Sequence, residues 1–194
     1  GLVLVALLLF GYFNLPGGTP REDVSLGMTF SFRYAESLGL NWQETYLALL
    51  DEVRVKKMRL PVYWDLVEKE KGVYDYSVID WQLDEAKKRD VAVILTVGIK
   101  VPRWPECHIP QWVGNDALVR REGILSFIET TVTRYRAHPA IAKWQVENEP
   151  FLRFGICPEF DVKVLDEEIA LVKRLDPSRP IVLTDSGELS LWVH

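Results

Sequence analysis

The run Trp144-Gln145-Val146-Glu147-Asn148-Glu149-Pro150 puts two carboxylates, a primary amide and a proline at successive positions. It reads as the end of a buried strand, with Pro150 stopping the ladder and fixing the backbone exit. A glutamate placed there can point into a cleft. Glu149 is then a candidate general acid/base, the carboxyl that protonates a leaving oxygen in glycoside hydrolysis. Asn148 beside it can hydrogen-bond a sugar hydroxyl, a contact that strengthens in the transition state when made to the 2-hydroxyl. Strict alternation puts Glu147 on the same face as Glu149. Two carboxylates so close would raise one pKa by repulsion and favour a protonated acid. The competing reading is a kink that sends Glu147 elsewhere, to pair with an arginine. On the tripeptide alone, Glu149 also reads as an ordinary surface carboxylate.

Elements that could position this group alternate along the chain. Ser25 to Phe32, Lys57 to Trp64, Val91 to Gly98, Ile141 to Val146 and Ile181 to Thr184 are strand-like. The third is an apolar, β-branched run of the kind buried on both faces of a parallel sheet. Asn41-Trp42-Gln43-Glu44 is a capping-box pattern opening a helix to about Val55. Tyr74-Asp75-Tyr76-Ser77 leads into a second helix to about Arg89. Ile124, Phe127, Ile128, Val132 and Tyr135 recur at helical spacing, as do Val162, Leu165, Ile169 and Val172. His138-Pro139 and Asp176-Pro177 close those two helices. Alternation of this kind implies an α/β fold with a parallel sheet. A dinucleotide-binding sheet would favour a Gly-rich turn after its first strand, but Arg33-Tyr34-Ala35-Glu36 stands there. Polar and aromatic residues gather instead at strand ends: Arg59, Tyr63-Trp64, Arg103-Trp104, Asn148-Glu149 and Asp185-Ser186. That is the habit of a TIM barrel. Trp64, Trp104, Trp112 and Trp192 are candidate sugar-stacking faces, each of which alone reads equally as packing. Glu188 could line the cleft or be a loop carboxylate.

Four segments carry a family resemblance: Asn148-Glu149-Pro150 after strand four; Arg59 with Leu60-Pro61-Val62-Tyr63-Trp64 at strand two; Tyr74-Asp75-Tyr76; and Val101-Pro102-Arg103-Trp104-Pro105 after strand three. On these, the chain from about Ser25 to Trp192 resembles the clan A glycoside hydrolases, retaining TIM-barrel enzymes that include family 5 cellulase-like proteins. The resemblance implies that Glu149 is the acid/base, that Asn148 binds the substrate 2-hydroxyl and that Arg59 supports the nucleophile. It is specific for the clan and not for a substrate. The clan places its nucleophilic Glu at strand seven, and a full barrel takes about 250 residues. The expectation is a TIM (β/α)8 barrel truncated to roughly its first five strand–helix units, with the nucleophile missing from this chain. A non-catalytic carbohydrate-binding remnant is the alternative, and a barrel lyase using Glu149 as a base is a third. Cys107 and Cys157 fall in the loops after strands three and four, neighbours on the rim of a barrel, and a bridge between them is expected in an exported protein.

Composition narrows the partners. The 194 residues, 48% hydrophobic, suffice for one folded domain and argue against disorder. A net charge of −5 with no basic stripe argues against nucleic acid. His108, His138 and His194 form no zinc pattern, and no P-loop or G-x-S-x-G elbow occurs. The chemistry expected is therefore carboxylate-based, without metal or cofactor, on a carbohydrate. Residues 1–15 are apolar but fall short of the roughly 20 needed for a span. They read as a signal-peptide core or signal-anchor remnant, with a buried element as the other reading. Residues 16–24 read as a linker and 25–194 as the partial barrel. The expected setting is secreted, or membrane-anchored through the N-terminal segment with an extracytoplasmic catalytic domain.

Overall fold

The computed structural model describes residues 1–14 and 26–185 of the chain. Helix α1 (Leu2–Phe13) precedes β1 (Gly27–Thr29), α2 (Phe32–Ser37), α3 (Trp42–Asp51) and β2 (Lys57–Pro61). Then come α4 (Trp64–Val67), α5 (Ser77–Lys88), β3 (Ala92–Val97), α6 (Ala117–Tyr135), β4 (Ile141–Val146), α7 (Val162–Leu175) and β5 (Ile181–Val182). All pairings are parallel and the sheet order is β1-β2-β3-β4-β5. A sheet that advances one strand at a time through right-handed crossovers keeps its helices on one face. A doubly wound sheet would reverse its order. The sequential order is that of the first five units of a (β/α) barrel, as the sequence implies.

Register explains the two faces. Arg59 pairs with Thr29 on one side and Ile94 on the other, and Gln145 pairs with Thr96 and Val182. Their neighbours Met58, Leu60, Val93, Leu95, Val97, Trp144 and Val146 alternate to the other face and are buried. There they form one core with Tyr46 of α3, Leu83 of α5, Phe127 and Ile128 of α6, and Val172 of α7. Polar side chains that remain on the concave face therefore have somewhere specific to point, toward the barrel axis.

Helix starts follow local chemistry. Asn41 accepts from the amides of Gln43 and Glu44, and Asp116 and Asp161 cap α6 and α7 in the same way. Two expected strands end early, where a short helix begins. Ser31 accepts from the Tyr34 amide and turns Phe32 into the start of α2. The second strand stops at Pro61, and Trp64 opens the single turn of α4.

The N-terminal segment departs from the buried-element reading. Helix α1 buries none of its residues, so it is no part of the core. Twelve residues at about 1.5 Å each reach about 18 Å, short of the roughly 30 Å hydrocarbon layer. Among the described residues no helix is long and apolar enough to cross a membrane, and the expected anchor gains no support. The expected linker, Glu188 and Trp192 lie outside the described residues. The Cys107–Cys157 bridge is present, with Cα atoms 5.2 Å apart, and joins the loops after β3 and β4.

Candidate active site

Three side chains on the concave face build the floor. Arg59 reaches across the sheet: its Nε donates to Thr29 Oγ1 at 2.9 Å. Its Nη1 donates to Gln145 Oε1 at 3.3 Å and to Asn148 Oδ1 at 3.2 Å. With Oδ1 so engaged, the Asn148 amide group is aimed at Glu149, Nδ2 lying 3.4 Å from Oε2. Asn148 is buried and Glu149 is half-buried, so the carboxyl meets solvent over a fixed amide. Burial pulls the Arg59 guanidinium below its ordinary pKa, opposed by the neighbouring charge of Glu149.

The backbone at this point is strained and held from several sides. Glu147 and Glu149 both take left-handed conformations, φ 55° and 48°. For residues with a Cβ this costs on the order of 1–2 kcal/mol each, and it persists only where contacts over-determine it. Here they do. The Glu149 amide donates to Thr184 Oγ1, just past β5, at 3.1 Å. The Glu149 carbonyl accepts from Lys100 Nζ at 2.9 Å, and that ammonium also donates to the Leu152 carbonyl at 2.5 Å. The Asn148 amide donates to the Lys100 carbonyl at 2.7 Å. Thr184 Oγ1 lies 3.3 Å from Asn148 Oδ1 and 3.2 Å from Gln145 Nε2, closing the network.

The same kink disposes of the alternation argument for Glu147. Its side chain leaves the Glu149 face and is fully enclosed, but among the described residues it pairs with no arginine. It accepts from the amides of Ile99 and Lys100 at 2.7 and 2.6 Å and meets Glu168 of α7. Burial raises both of these carboxyls above their ordinary range. Glu106, on the loop after β3, is a further acid near the floor. Burial raises its carboxyl too, and it interacts electrostatically with Lys100, Glu149 and Arg59.

The tryptophans divide. Trp64 is fully buried, its Nε1 donating to Glu68 Oε2 at 2.7 Å and its ring stacked on Phe127. That placement removes it from the sugar-facing candidates. Trp112 donates to the Glu68 carbonyl and packs edge-on against Trp64, so it belongs to the same packing cluster. Trp104 is 62% exposed and meets Phe154 edge-on at 6.0 Å across the two loops that the disulfide ties. Among the described residues no cluster of His, Cys, Asp or Glu could hold a metal ion.

Solved structures share this arrangement of strands and helices. GH5_18 from Streptomyces cattleya, in complex with GlcNAc, superposes with a TM-score of 0.62 at 13% identity, covering 84% of this chain and 45% of its own. A beta-galactosidase from the psychrophilic Marinomonas ef1 gives 0.57 at 15% identity, over 82% of this chain and 37% of its own. An exo-beta-1,4-mannosidase from Opitutaceae bacterium strain TAV5 gives 0.58 at 14%, over 81% and 31%. The fold is that of the TIM-barrel glycoside hydrolases. No family model and no curated protein matches the sequence. The chain spans less than half the length of each of these hydrolase barrels. Residues that sequence reasoning overlooked in the site are Thr29, Lys100, Gln145, Thr184 and Glu106. Thr184 closes an expected strand, and Gln145 stands in the motif itself, so both carried a positional signal.

Proposed function

We propose that this chain forms part of a retaining glycoside hydrolase that cleaves O-glycosidic bonds in an oligo- or polysaccharide. In this reading Glu149 is the acid/base, Asn148 the ligand of the substrate 2-hydroxyl and Arg59 the cation beside the nucleophile. The observation that carries it is the convergence of Arg59 and Asn148 through hydrogen bonds on the concave face of a hydrolase-type sheet, with Glu149 next to them. Protonated Glu149 would deliver its proton to the glycosidic oxygen as that bond breaks and a second carboxylate attacks the anomeric carbon. Glu149 would then take a proton from the water that releases the sugar. The second carboxyl must lie about 5–5.5 Å away. The resemblance to clan A hydrolases puts it at a seventh strand, outside these residues. A protein that lacks it would be the alternative, a carbohydrate-binding remnant without turnover. The disulfide supports an exported, oxidising setting for the protein.

The test is turnover of aryl β-glycosides by the full-length protein and its Glu149→Ala variant. The variant is expected to lose about 10²–10⁴-fold on substrates with poor leaving groups and far less on activated ones. Equal activity of the two proteins on poor leaving groups would remove Glu149 from the role. Sugar binding without turnover in the wild type would select the remnant.

A further inference from the structure

The acid pair behind Glu149 has a geometry of its own. Both oxygens of Glu147 are occupied by the Ile99 and Lys100 amides, the start of the loop after β3. Gly98, at φ 138°, makes room for this: a Cβ there would fall 2.5 Å from Glu147 Oε1. Glu168 approaches from α7 and is hydrogen-bonded to Glu147. Each acid is 1% exposed, and Glu168 Oε2 has no partner. Two ionised carboxylates in contact in such a place repel, and the two amides and the Lys100 charge that favour the Glu147 anion do not reach a second charge on Glu168. The available cation is Lys100, whose ammonium is engaged with the Glu149 and Leu152 carbonyls. Glu167 on α7 adds to the repulsion on Glu168 and is itself paired with Arg121 of α6 at 2.7 Å. A cavity of about 690 Å³ adjoins the pair, and Arg120, Arg153, Glu159 and Asp161 line it. Among the described residues no lysine or arginine forms an ion pair with Glu147 or Glu168.

One proton resolves this arrangement. Glu147 already accepts two amide hydrogens, so it is the anion, and Glu168 is the acid that donates to it. We propose that Glu147 and Glu168 share a single proton and act as a positioning pair for Asn148 and Glu149. The pair ties the end of β4 to the β3 loop and to α7, in a geometry that lasts only while the proton is held. The positioning role rests on the acid/base reading of Glu149; the shared proton does not.

The sign follows from linkage. Carboxyls raised on folding stabilise the native state while protonated, and that contribution is lost as pH rises through their raised value. The experiment compares the full-length protein with Glu168→Gln, whose amide still donates to Glu147 but does not titrate. Between about pH 5 and pH 8 the wild type is expected to lose melting temperature relative to the variant. Exchange of the Ile99 and Lys100 amides, measured relative to the variant, should quicken by up to about tenfold per pH unit in the same range. The ¹³C signal of the Glu149 carboxyl should move with that midpoint in the wild type alone. Parallel pH profiles for the two proteins would refute the shared proton. A melting difference without any response at Ile99, Lys100 and Glu149 would refute the positioning role. If the variant does not fold, carboxyl ¹³C titration of the wild type decides: one proton retained near neutrality supports the pair, and two carboxylates at about pH 6 overturn it. None of these signals needs a sugar, so they can fail while the hydrolase reading stands, and the reverse.

Discussion

Gly98→Ala is expected to be far costlier than an ordinary glycine replacement, and the structure says by how much. The added methyl would sit 2.5 Å from Glu147 Oε1, 2.6 Å from Cδ and 3.0 Å from Oε2. The carboxylate cannot retreat without giving up the Ile99 and Lys100 amides at 2.7 and 2.6 Å. Backbone strain at φ 138° adds on the order of 1–3 kcal/mol, and overpacking a further 1–3. The stiffer unfolded chain returns about 0.4–1 kcal/mol. The net loss is roughly 3 kcal/mol, on the order of 10 °C in a domain of about this size. Gly39→Ala is the control: it also has positive φ, 73°, but its Cβ would meet nothing within 4 Å. It should show the strain alone, about 1 kcal/mol. Thermal melting of both variants of the full-length protein reads the contrast. In a Glu147→Ala background the Gly98→Ala penalty should shrink to the control value, because the clash partner is gone. Equal melting temperatures for the two single variants, or an undiminished penalty in the double variant, would show that Glu147 is not held against Gly98.

Other outcomes follow from contacts of the same kind. Trp64→Ala should cost about 3–5 kcal/mol by denaturant melting, as for any fully buried large aromatic, whereas Trp104→Ala should leave stability within about 0.5 kcal/mol and weaken sugar binding by the full-length protein in calorimetry. Opening the Cys107–Cys157 bridge by Cys→Ser replacement frees a 50-residue loop and should cost up to roughly 4 kcal/mol of unfolding free energy. Asp176 is buried, which would raise its carboxyl, but hydrogen bonds from Trp144, Ser178 and Arg179 hold it at about 2. Its contribution is present above the ordinary carboxylate range and lost as pH falls toward that value, so the melting difference between wild type and Asp176→Asn should fade on acidification. Thr184→Val removes the acceptor of the Glu149 amide and should lower turnover of poor leaving groups more than it lowers binding, read as kcat against KM.

The parts of the fold that were legible in the sequence are those whose signal is local and long. β3 reads as an apolar run, with one face buried throughout and the other partly buried, and α6 and α7 show their period over 19 and 14 residues. Helices α2 and α4 have 6 and 4 residues, too few to display any period, and only their first residues, Phe32 and Trp64, fall inside the strand-like runs. The site divides in the same way. Asn148-Glu149-Pro150 and Arg59 stand out because residue type and strand position suffice. Thr184 and Lys100 act on Glu149 across 35 and 49 positions, with side chains whose types suggest nothing. Glu147 is the most instructive case, since alternation argues for the Glu149 face and the left-handed backbone at Glu147 and Glu149 breaks it. No propensity announces that a glutamate will take φ 55°. It does so because two amides, a glycine with room for a carboxylate, and a proton on Glu168 together offset a strain that the sequence, read along one strand, has no way to display.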